Sequence, residues 1–104
     1  NDKNRLADQY FNLVLNTIYE VLKSAKNQIL QENINSLYAE VIKEFACWLK
    51  NYCINEEIGE NKKLKNNKIY NINKPEDYAT AVVEYIAGMT DNKAIDTYNK
   101  IISF

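Results

Sequence analysis

Between Ile34 and Tyr52 apolar residues return mostly at steps of three and four: Ile34, Leu37, Tyr38, Val41, Ile42, Phe45, Trp48, Leu49 and Tyr52. That spacing lays them along one side of an α-helix, whereas a strand, with its alternating side chains, would scatter them over two faces. The density of rings marks this stretch as the expected core helix. Two glycines and one proline in 104 residues leave few breaks, and this favours long helices over a turn-rich β fold.

A second stripe precedes it. From about Asp2 to Gln31 the apolar positions are Leu6, Tyr10, Val14, Ile18, Val21, Ala25 and Ile29, widened by Leu13, Thr17 and Leu22. A stripe of that width suits a helix packed against two neighbours. Lys3, Asn12, Glu20, Lys23, Lys26 and Asn27 fall mostly outside it and are expected in solvent. The join from Gln31 to Ser36 holds neither Gly nor Pro, so local sequence permits one uninterrupted helix. Such a helix of about fifty residues would span roughly 75 Å, too long for a domain of this size. A break is therefore predicted there, with Asn33, Asn35 or Ser36 as the N-cap.

From Asn55 to Lys74 the periodicity fades. Glu56, Glu57 and Glu60 are followed by Lys62, Lys63, Lys65, Lys68 and Lys74, with Asn61, Asn66, Asn67, Asn71 and Asn73 between them. Ile69, Tyr70 and Ile72 suit a short extended segment that anchors this loop. Lys62, Lys63, Lys65 and Lys68 have the charge to contact phosphates of a nucleotide or nucleic acid. With no arginine or stacked aromatic pattern beside them, a solvated connection is the simpler reading.

Pro75, Glu76 and Asp77 open a helix, the proline preset for the first turn and the acids facing the helix dipole. Tyr78, Val82, Tyr85 and Ile86 line one of its faces, with Ala79, Ala81 and Val83 beside it. Gly88 is the expected C′ residue, with the left-handed backbone that glycine adopts freely. Thr90 or Asp91 is placed to cap a last helix carrying Ala94, Ile95, Tyr98, Ile101 and Ile102, and Phe104 is expected to fold back on it. The prediction is all-α: one domain over residues 1–104, a small bundle of about four helices with a Lys/Asn-rich loop between the second and third. The chain opens on Asn1, without methionine, and enters helical pattern at once, so a part of a longer polypeptide is expected.

The formal charge of −1 offers no long-range pull toward nucleic acid or acidic membranes. Eight tyrosines against three phenylalanines predict many half-wet contacts, a ring buried and a hydroxyl seeking a partner. In one helix Cys47 and Cys53 would point about 120° apart, which suits neither a ligand pair nor an easy disulfide. They are expected as small buried hydrophobes in a reducing cytoplasm. No signal peptide and no apolar run of membrane-spanning length occurs.

Catalytic chemistry is sparse. No histidine is present, so the commonest general base and metal ligand is missing. There is no glycine-rich phosphate loop, and no serine or cysteine stands in a nucleophile's context. Glu40 and Glu44 are four apart on one helical face, where carboxylates are usually solvated instead of ligating two metals.

One segment is more particular: Ala81-Val82-Val83-Glu84-Tyr85-Ile86-Ala87-Gly88-Met89-Thr90-Asp91-Asn92-Lys93-Ala94. It resembles the C-terminal signature of deoxyguanosine triphosphate triphosphohydrolases and related dNTPases of the HD phosphohydrolase superfamily. Glu84 through Asp91, and Ala94, follow that pattern closely. Asn92 and Lys93 stand where the family commonly has an arginine and an aromatic. The resemblance implies a parent enzyme that uses a divalent metal, held by two histidines and two aspartates, to split a dNTP into deoxynucleoside and triphosphate. This chain would then be its helical, HD-associated C-terminal part. Its partners would be the rest of the parent chain and, in a homo-oligomer, further copies, with no membrane contact and no cofactor of its own. Tyr85, Thr90 and Asp91 are the motif residues that could lie near substrate; the alternative is a purely structural helix corner. A stand-alone helical module that binds a partner helix is the rival reading of the whole chain.

Overall fold

The computed structural model describes residues 2–51, 53–54, 70–71 and 74–103, and in it the first apolar stripe becomes two helices. Helix α1 runs Asp2–Ser24 and α2 Lys26–Leu30; α3 is Ala39–Leu49, α4 Pro75–Ala87 and α5 Asp91–Ile102. Two-residue strands, β1 (Cys53–Ile54) and β2 (Tyr70–Asn71), pair in parallel, Cys53 opposite Tyr70 and Ile54 opposite Asn71. The all-α prediction is correct. Of the predicted anchor segment Tyr70 is extended, in β2, while Ile69 and Ile72 lie outside the described residues, as do the lysines at 62, 63, 65 and 68, Tyr52 and Phe104.

The division at Ala25 has a packing cause. The Leu22 carbonyl accepts from the Ala25 amide at 3.2 Å, a three-residue turn, and also from the buried Tyr78 hydroxyl of α4. A carbonyl drawn toward a second donor tightens the helix at that point. Helix α2 then ends between Gln31 and Ser36 as predicted, by a route the sequence hides. Glu32 takes φ 54°, its amide bonds the Ile29 carbonyl at 3.2 Å, and the Asn33 amide reaches the Gln28 carbonyl at 3.0 Å. These are the two bonds of a Schellman motif, with glutamate where glycine usually stands.

Helix α3 starts later than its periodicity suggests. Its N-cap is Tyr38, without a side-chain cap bond, and not Asn33, Asn35 or Ser36. Ser36 heads the short turn before it: its hydroxyl accepts from the Tyr38 amide at 3.3 Å and its carbonyl from Ala39 at 3.2 Å. Leu37, expected in the core, is left 82% exposed on that turn.

The core collects Val14, Ile18 and Leu22 from α1, Ala25 at the division before α2, Val41, Ile42, Phe45 and Leu49 from α3, and Tyr78, Ala81, Val82 and Ile86 from α4. Tyr70 of β2 and Ala94 and Ile101 of α5 complete it. Each large aliphatic or aromatic residue buried here contributes about 1.5–3 kcal/mol. Helix α1 packs along both α4 and α5, and α3 meets all three. Length decides where α1 stops contributing. Its 23 residues reach roughly 34 Å, whereas α4 and α5, with 13 and 12, reach only about 20 and 18 Å. The first half of α1 therefore runs beyond full cover. Leu6, Tyr10 and Leu13, placed on the buried stripe by periodicity, turn instead roughly 110° from Val14, Ile18 and Leu22 and are 67%, 46% and 53% exposed. Cys47 is exposed as well, against the expectation of a buried thiol.

Candidate functional site

The corner between α4 and α5 carries the motif residues, and each is held by a separate local device. Proline at the first helical position and Glu76 and Asp77 in the first turn open α4 as predicted. Asp77 accepts from the Asn71 amide at 2.9 Å, and the Tyr70 hydroxyl donates to Glu84, so β2 is tied to α4 at two points. Tyr70 is buried, and its ring lies 6.4 Å from Trp48. This fixes the returning end of the long connection against α3 and α4.

Tyr85 points into a ring cluster. Its centroid is 5.0 Å from Phe45 and 5.2 Å from Trp48, and Phe45 also meets Trp48 and Tyr78 at 6.0 Å. Burial, and then the nearby Glu44 carboxylate, push the Tyr85 phenol up to about 12. Both causes disfavour the phenolate, so this hydroxyl is no ready base at neutral pH.

Gly88 departs from expectation. It is the C-cap of α4 at φ −82°, ψ −6°, ordinary right-handed backbone, and makes no use of glycine's freedom. Its amide closes on the Glu84 carbonyl at 3.1 Å and the Met89 amide on Ile86 at 3.0 Å. Thr90 then caps α5: extended at φ −70°, ψ 161°, it accepts from the Lys93 amide at 3.1 Å. Asp91 is exposed in the first turn, where its charge complements the positive end of the helix dipole. Tyr85 is thus occupied by packing and Thr90, though exposed, by capping, while Asp91 is exposed with its carboxylate toward solvent at the helix start.

Lys93, noted above only as a departure from the family pattern, and Lys100, which sequence reading passed over, tie α5 to α3. Lys93 bonds both oxygens of Glu44 at 2.9 and 3.1 Å, and Lys100 meets Glu40 at 3.4 Å and Asp96 at 3.6 Å. Glu40 and Glu44, four apart on α3, are thereby laced to α5. Glu40 holds the Lys100 ammonium above its usual range, first by its charge and then by a hydrogen bond. These pairs are exposed, and such bridges are individually weak. Glu44 and Lys93 are 49 residues apart, so no local pattern could have paired them. Among the described residues no group of three His, Cys, Asp or Glu side chains could hold a metal ion. None of the helices among them is long and apolar enough to cross a membrane.

A family model described as a phosphohydrolase-associated domain matches residues 31–100, which take in α3, both strands, α4 and most of α5. No curated protein and no solved structure matches the chain.

Proposed function

Because the chain belongs to the phosphohydrolase-associated domain family, we propose that it is the non-catalytic helical part of an HD-superfamily enzyme. That enzyme would cleave a dNTP, dGTP being one candidate, into deoxynucleoside and triphosphate. The observation that carries this reading is the family match over residues 31–100 together with the Glu84–Asp91 motif inside it. In this role the bundle buttresses the wall of the substrate cavity and adds to homo-oligomer contacts of a cytoplasmic parent enzyme. The residues present do not fit the divalent-metal site of that superfamily, since the chain has no histidine. Metal and water activation therefore belong to the catalytic part, and this chain supplies shape and support.

The test is an assay of triphosphate release from dGTP and the other dNTPs. This chain alone is expected to give none; the histidine–aspartate catalytic domain of the source organism, co-expressed with it, is expected to give turnover. Clear metal-dependent hydrolysis by the purified chain would sink the proposal. A second arm concerns the corner. As a first-turn acid, Asp91→Asn is expected to cost a few tenths of a kcal/mol in stability and to leave turnover near normal. A large loss of turnover at unchanged melting would make Asp91 a substrate contact.

A further inference from the structure

The exposed apolar residues of α1 and α5 join into one surface. At about 100° per residue, Leu6, Tyr10 and Leu13 point roughly 110° away from the buried line of Val14, Ile18 and Leu22. They form one flank of α1, each three or four residues from the next. On α5, Tyr98 and Ile102 make the matching flank beside buried Ala94, Thr97 and Ile101, with Ile102 48% exposed. The two flanks meet where the Tyr10 and Tyr98 rings pack edge to face at 6.1 Å. Leu6, Leu13, Tyr10, Tyr98 and Ile102 are therefore one apolar shoulder across two helices.

Area and charge choose the occupant. Leu6, Tyr10, Leu13 and Ile102, each about half exposed or more, with the part-buried Tyr98 offer roughly 500 Å², the size of a functional patch, but short of the roughly 800 Å² per partner of a stable interface. A free dimer would need more. Charge also opposes a second copy. Glu20 lies seven residues beyond Leu13 on the same line of α1, and Asp91 seven before Tyr98 on that of α5; both are exposed. The lysines of α5, Lys93 and Lys100, sit on its opposite flank, paired with Glu44 and Glu40 of α3. The shoulder thus has an exposed acid on the line of each helix, with Arg5 turned about 100° off that of α1, and two copies would bring those like charges together.

We infer that this shoulder seats an apolar helix of the catalytic phosphohydrolase, bordered by lysine or arginine. The inference rests on the function proposed above and adds the surface and the chemistry of its partner. Leu6, Tyr10 and Leu13, at i, i+4 and i+7 of α1, give such a helix one continuous apolar line to lie against.

The probe is the histidine–aspartate catalytic domain of the source organism, co-expressed with this chain and then titrated against it. Leu6→Asp with Leu13→Asp alters only exposed side chains, so melting is expected to be unchanged while the dissociation constant rises about tenfold or more. Ile102→Asp, on the other helix, repeats the test should the double variant fail to fold. Glu20→Lys is expected to weaken association more at low salt than at high salt. Equal binding by wild type and both shoulder variants overturns the surface and leaves the proposed function standing. No binding by the wild type overturns both. Sedimentation of the wild-type chain as a dimer that the double variant abolishes would make a second copy the occupant and overturn the inference.

Discussion

The two turns that separate the longer helices place glycine the opposite way round from backbone need. After α2 the chain requires a positive φ, and Glu32 supplies it at 54°. After α4 a glycine is present, yet Gly88 sits at φ −82°, where any residue is comfortable. The first turn is closed by backbone bonds alone, Glu32 to Ile29 and Asn33 to Gln28. The second adds to its backbone bonds, Gly88 to Glu84 and Met89 to Ile86, a side-chain cap, Thr90, that the local sequence announces. A turn set by a capping residue is legible in advance. One set by the directions in which its flanking helices are packed is not.

Phe45→Ala should have the largest effect and sharpen this contrast. The ring is fully buried and touches Trp48, Tyr78 and Tyr85. Its loss is expected to cost about 3–5 kcal/mol, read from urea or thermal unfolding. Amide exchange then separates the turns. Protection at Gly88 and Met89 should fall more than at Glu32 and Asn33, because Tyr85, one turn before the corner, loses its closest ring. Equal loss at both would mean that packing around Phe45 governs the two turns alike.

Substitutions at the turns themselves come next. Thr90→Ala removes the cap of α5 and should cost about 1 kcal/mol. Glu32→Gly removes the left-handed penalty of roughly 1–2 kcal/mol but adds freedom to the unfolded chain, for a net gain of at most about 1 kcal/mol. Gly88→Ala should be stabilising by about 0.4–1 kcal/mol. A Cβ there would meet the Glu84 and Tyr85 carbonyl oxygens at 3.5 and 3.7 Å, ordinary contacts. Destabilisation by Gly88→Ala would restore the corner glycine to a backbone role, and a loss on Glu32→Gly would show that the glutamate side chain has work of its own.

The same distinction explains what else was readable. Helix periodicity located α3, α4 and α5 and most of the core, because burial of one stripe is what orders those residues. It misplaced Leu6, Tyr10 and Leu13, since a stripe read wide enough to include them takes in a flank roughly 110° from Val14, Ile18 and Leu22 that no neighbour covers. Thr97, polar and outside the predicted faces, is buried with its hydroxyl bonded to the Lys93 carbonyl, a solution that periodicity does not reveal. The motif from Glu84 to Asp91 pointed to the family before any coordinates. Its geometry was only partly readable: the Thr90 cap was, whereas the ring contacts of Tyr85 and the Glu44–Lys93 pair depend on α3, which lies far off in sequence. A family label is carried by residue identity, but a site needs the partners that folding brings to it.

The smallest effect, absent at neutral pH, tests whether Tyr85 belongs to the packing or to the solvent side of the corner. In the folded chain its phenol titrates at about 12 against its ordinary 10.0, through burial and then Glu44. The unfolded chain therefore releases this proton first as pH rises. The stabilising contribution is whole below pH 10 and is lost between 10 and 12. Lys100, held protonated by Glu40, adds a loss in the same direction, so the comparison must be with Tyr85→Phe, which keeps the ring between Phe45 and Trp48. That variant should match wild type from pH 6 to 9, roughly the range in which an ordinary tyrosine stays neutral, and should lose less stability across the alkaline window. Identical alkaline unfolding of the two proteins would put the Tyr85 hydroxyl in water and leave only its ring as part of the corner.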